Sequence, residues 1–187
     1  MKKFRRLALA AILLLTTPTI AKEAVPTRQE TIIETIVEPI EEYTINTDLR
    51  EPCGLTAEQL DKGLLHNLVG YGQDFLDAEE EYGVNAVALA AIAGHEGAWG
   101  RSDASINKNN FFGWGPGYYF DEPIDGIMTV AESLYKNYLD PEGKWYNGSD
   151  LEGVNIIYCS TGPEPEEWKN MVASTMNSIV GRALDKE

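Results

Sequence analysis

After Leu55 the apolar positions repeat at helical rather than strand spacing, in blocks separated by glycine, asparagine and proline. Thr56 followed by Gln59 has capping-box spacing, which predicts a helix that starts there and runs toward Val69. Gly70 and Gly72 break that pattern, and Gln73 to Tyr82 reads as a second helix closed by Gly83. Asn85 can cap a third helix in NAVALAAIAGHEGAWG, small and apolar on every side until Glu96, as expected of a buried helix. Gly100 to Phe120, rich in Gly, Asn and aromatics, reads as loop or short strand and not as helix. Pro123 suits a first helical turn, and Ile127, Val130, Ala131, Leu134, Tyr135 and Tyr138 form a stripe over Ile124 to Leu139. A turn at Asp140-Pro141-Glu142-Gly143 and helices over Leu151 to Tyr158 and Pro165 to Ala183 complete a mainly helical domain, with a small irregular lobe after the buried helix.

Ahead of Leu55 the pattern is different. Residues 1–21 combine the cationic MKKFRR with LALAAILLL, too short for a standard membrane span, and Thr19-Ile20-Ala21 puts small residues where a signal peptidase reads. The expectation is a signal peptide, a secreted or envelope protein, and no stable membrane insertion once the leader is removed. Residues 22–54 are acidic and rich in Pro, Thr and Glu, and read as a linker; its runs Thr31 to Val37 and Tyr43 to Ile45 could instead add an edge strand. Residues 55–187 form the expected folded domain.

Charge narrows the partners. The 187 residues carry 15 Lys plus Arg against 30 Asp plus Glu. Without Lys2, Lys3, Arg5 and Arg6 of the leader, 11 basic face 30 acidic residues, a net charge of −19. Nucleic acid is thereby excluded as a partner. Cys53 and Cys159, in a chain expected to leave the reducing cytoplasm, are candidates for a disulfide or for two thiols; spacing alone leaves both open.

Glu96 stands out chemically, as an ionisable group at the end of a helix whose other residues demand burial. Burial and the partial negative charge of a helix C-terminus both disfavour its ionised form, which suits a general acid; a structural glutamate bonded to loop amides is the plainer reading. His95-Glu96 lacks the second histidine of a zinc-protease helix, since Trp99 stands at that place, and His66 lies on another helix, so no metal or cofactor is expected. Ser102 and Ser105 lack a nucleophile-elbow context. Trp99, Phe111, Phe112, Trp114, Tyr118 and Tyr119, interleaved with Asn107, Asn109 and Asn110, have the composition of an open sugar cleft, or of a loop pinned by its own rings.

The segment AIAGHEGAWGRS followed by NKNNFFGW resembles the glucosaminidase family of peptidoglycan hydrolases, which includes autolysin glucosaminidases and flagellar rod-associated hydrolases. The likeness extends over LTAEQL, EYGVNAVALAAIA, YYFDEPIDGIMTVAESL, IIYCS and EEWKNMV. The resemblance implies a lysozyme-like α+β fold with a small β-lobe and an endo-β-N-acetylglucosaminidase activity on peptidoglycan strands. It makes Glu96 the general acid and Asp125, or its neighbour Glu122, the second carboxylate. It also puts Tyr158 in the cleft, and the composition of the neighbouring loop makes Trp99, Asn109, Asn110, Phe112, Trp114 and Tyr118 the candidate substrate contacts. Gly97-Ala98 departs from the family's usual Ser-Gly, and Gly115-Pro116-Gly117 shortens the return to the next helix. A muramidase or lytic transglycosylase of the same fold, or a noncatalytic glycan-binding module, are the rival readings.

Overall fold

The computed structural model describes residues 42–158 and 165–185, within one compact unit, Thr35–Glu187. The leader, Thr31 to Val37 and Cys159 lie outside the described residues. The elements are α1 (Ala57–Gly63), a 3-10 turn (His66–Leu68), α2 (Gly72–Tyr82), α3 (Ala86–Glu96), α4 (Asp103–Lys108), α5 (Pro123–Leu134), a π-helical turn (Tyr135–Leu139), α6 (Leu151–Tyr158) and α7 (Pro165–Ala183). No strand occurs among the described residues, so the lobe between α3 and α5 is irregular backbone carrying a short helix, without the expected β-lobe.

α3 is the central helix because its side chains are small. Every residue from Ala86 to Gly94 is buried, and α7 packs along it with Trp168, Val172, Ala173, Met176, Ile179, Val180 and Ala183 facing inward. Glycines allow the remaining close approaches: a Cβ on Gly63 would sit 2.6 Å from the Ile179 carbonyl oxygen, and one on Gly72 equally close to that of Ala57. α1 therefore lies against both α7 and α2. Its capping box forms as expected, but the helix ends at Gly63 instead of reaching Val69; Leu64 takes an extended conformation and the chain continues as the 3-10 turn. Gly83 closes α2 in the left-handed region, and Asn85 caps α3 by accepting the Ala88 N–H, both as expected. Within Gly100 to Phe120 the expectation of no helix fails at α4, where the Ser102 hydroxyl accepts the Ser105 N–H and so nucleates a turn.

The core reaches upstream of Leu55. Tyr43, Leu49 and Cys53 are buried, and Tyr43 to Ile45 forms no strand. A side chain replaces the ladder. The Asn177 amide of α7 accepts the Tyr43 N–H and donates to the Tyr43 carbonyl, both at 2.7 Å. Asn85 donates to the Glu51 carbonyl at 2.8 Å, and its own N–H reaches the Leu49 carbonyl at the same distance. Glu79 Oε2 accepts from the Cys53 and Ala86 amides at 2.9 and 2.7 Å, which gives the N-terminus of α3 a carboxylate. Burial, reinforced by Glu79, pushes the Cys53 thiol up to about 12.

Candidate active site

The buried run of α3 ends at Gly94, and His95 and Glu96 emerge exposed. The burial expected for Glu96 is therefore absent, because the helix leaves the core just before it. What fixes the glutamate is the turn behind it. A Cβ on Gly97 would fall 2.0 Å from the Phe111 carbonyl oxygen, so only glycine fits. The Gly97 carbonyl accepts from the amides of Arg101 and Ser102 at 3.1 and 3.0 Å and from the Ser105 hydroxyl at 3.3 Å. Ala98 and Trp99 then take positive φ, 51° and 59°, to reverse the chain. Trp99 folds back onto α3, its ring against Gly94 and under the Arg182 guanidinium 5.6 Å away.

The partner of Glu96 comes from the other end of the sequence. Trp168, buried on α7, donates its indole N–H to Glu96 Oε1 at 3.1 Å. From Trp168 a row of rings leads away: Tyr158 at 4.9 Å between centroids, Tyr138 a further 6.2 Å, and Trp145 another 5.2 Å. The rings of Tyr138, Trp145 and Tyr158 line a cavity of about 60 Å³ together with Phe112, Trp114 and Ile92. Ile92 lies one helical turn before Glu96, so the cavity and the carboxylate share a face of α3. A wider, open hollow of about 430 Å³ runs along α7 past His95, Asn170 and Ser174. Neither hollow is lined by Glu96 itself; the ring-lined cavity, which shares a face of α3 with it through Ile92 and carries the aromatic side chains, is the better candidate for sugar chemistry.

The other expected residues fall into four groups. Phe112, Trp114 and Tyr158 meet in the cavity. Asn109 and Asn110 build the loop: Asn109, at φ 51°, donates to the carbonyls of Phe120 and Asp121, while buried Asn110 accepts the Trp114 N–H at 2.8 Å and donates to the carbonyls of Trp114 and Tyr118. Tyr118 is exposed, its ring paired with Phe120. Asp125 and Glu122 both sit exposed at the start of α5, where Asp125 Oδ2 accepts the Glu122 N–H at 3.0 Å. Sequence reasoning missed Trp168 and Trp145. Their roles rest on contacts between distant segments, and only the amphipathic placement of a tryptophan on α7 hinted at the first. Among the described residues, no three His, Cys, Asp or Glu side chains group as a metal site would need, and no helix is long and apolar enough to cross a membrane.

The family model described as mannosyl-glycoprotein endo-beta-N-acetylglucosaminidase matches residues 72–178. Proteins from two strains of Streptococcus pneumoniae, each provisionally named endo-beta-N-acetylglucosaminidase, are 34% identical over 149 residues, or 71% of this chain. The chain spans about a fifth of their length, 21% and 20%. Among solved structures, a catalytic mutant of S. aureus autolysin E in complex with the disaccharide NAG-NAM aligns with a TM-score of 0.57 and 19% identity, over 75% of this chain and 73% of that one. The same autolysin in complex with the muropeptide NAM-L-Ala-D-iGlu gives 0.58 and 18%, with the same coverage. At these identities the structural likeness shows the fold alone.

Proposed function

Because the chain belongs to the glucosaminidase family, we propose that it is an endo-β-N-acetylglucosaminidase of peptidoglycan strands with Glu96 as its general acid. The observation that carries this reading is the setting of Glu96: a carboxyl at the open end of a buried helix, held by an indole and one turn from a ring-lined cavity. Glu96 gives its proton to the glycosidic oxygen, the electron pair of the breaking bond leaves with that oxygen, and water adds to the anomeric carbon and loses a proton. Trp114, Phe112 and Tyr158 cover the apolar sugar face. Asn109 and Asn110 act by holding the loop that presents Trp114, and Trp99 by seating the turn behind Glu96.

Asp125 Oδ2 is engaged by the Glu122 amide, which favours attack assisted by the substrate's acetamido group, with Asp125 or Glu122 as a helper. The acidic stretch and leader-like first 21 residues support action at or outside the envelope. The test is mass spectrometry of borohydride-reduced peptidoglycan digests, wild type beside Glu96→Gln. Reduced N-acetylglucosamine ends that disappear in the variant are expected. Reduced muramic or anhydro-muramic ends would move the protein to a muramidase or lytic transglycosylase, and no soluble product would point to a binding module.

A further inference from the structure

We propose that Trp168 is a positioning residue for the Glu96 carboxyl: its indole N–H occupies Oε1 and so keeps the transferable proton on Oε2. The inference rests on the reading of Glu96 as general acid. An indole N–H is a donor only, so the oxygen it meets must accept in every protonation state. With Oε1 accepting at 3.1 Å, the acidic proton of neutral Glu96 is favoured on Oε2, because a carbonyl oxygen is the stronger acceptor for the indole than a hydroxyl oxygen.

Three features keep the donor where it is. Trp168 is only 4% exposed, and a buried indole N–H must find an acceptor; Glu96 supplies it. The Tyr158 ring lies 4.9 Å from the indole at an interplanar angle of 37°. Lys169, the next residue and itself 5% exposed, pairs with Glu152 at 2.6 Å and so ties α7 to α6, the helix that carries Tyr158.

The bond also strengthens as the reaction proceeds. When the Oε2 proton passes to the glycosidic oxygen, Glu96 becomes a carboxylate, and a neutral hydrogen bond becomes a charge-assisted one. The interaction thus stabilises the transition state more than the ground state. The glycine-built turn at Gly97 fixes the backbone of the acid, and Trp168 fixes its carboxyl.

Trp168→Phe keeps an aromatic ring but loses the N–H donor together with part of the buried indole, so stability and rate are read side by side. The expected result at temperatures where the variant is folded is a kcat about tenfold lower with KM unchanged. A purely structural indole would lower stability and leave kcat in place, which overturns the proposal.

A second measurement needs neither a folded variant at position 168 nor activity. The Trp168 indole 1H–15N resonance of the full chain should shift with pH in wild type and lose that shift in Glu96→Gln. A resonance indifferent to both pH and Glu96→Gln overturns the hydrogen bond. A resonance that titrates in a protein that leaves peptidoglycan intact overturns the proposal through its premise, the general acid, and not through the bond.

Discussion

From Ala86 to Gly94, α3 is held by a surround of apolar side chains and by the repeating bonds of a helix. From Gly97 to Asp121, immediately beyond the carboxylate, the chain is held by a few particular groups: Gly97, three non-glycine residues at positive φ and the amides of two asparagines. Many interchangeable contacts set the helix that delivers the acid, whereas a small number of irreplaceable ones, Gly97 first among them, fix the turn behind the acid and the loop beyond it. In the first region no single atom decides the conformation; in the second nearly every one does.

Leu89→Ala tests the first region. Leu89 is fully buried on α3, and its truncation should cost about 3 kcal/mol of global stability, read as a lower urea midpoint at unchanged slope. Asn110→Ala tests the second. It strands the Trp114 amide and frees two carbonyls, a cost of about 2 kcal/mol that should appear as faster hydrogen exchange in the loop, with little change in the urea midpoint. If Asn110→Ala lowered that midpoint as far as Leu89→Ala, the loop would belong to the same cooperative unit and the contrast would collapse. Ala98→Gly is the smallest and runs the other way. Relieving a positive φ of 51° should stabilise the turn by about 1 kcal/mol, visible as a small rise in melting temperature.

The same contrast explains what could be read in advance. α5, α6 and α7 were legible because burial of one face writes itself as periodicity, α3 because a helix apolar on every side is a buried one, and the caps at Thr56 and Asn85 because they are local. α4 escaped because its cap, Ser102, looks like any loop serine in a stretch full of Gly and Asn. Glu96 was found for its isolation among apolar residues, yet its exposure was misjudged: the pattern does not tell where along its length a buried helix breaks the surface. The tyrosine anchor upstream of Leu55 was invisible for another reason. A single asparagine 134 residues away takes the place of a neighbouring strand. Trp168 shares that difficulty, since its partner lies 72 positions back.

That anchor has a mechanical side. Tyr43 is fastened to Asn177 on α7 and to Asn85 at the start of α3, while Glu96 stands at the finish of α3 and Trp168 nine residues before Asn177. At 1.5 Å per residue, the fastening lies roughly 15 Å along either helix from the acid and its indole. Tension arriving through the chain that precedes Tyr43 would be taken up at the ends of α3 and α7 remote from the acid. A pull on Tyr43 would therefore load those two helices without acting directly on the acid and its indole.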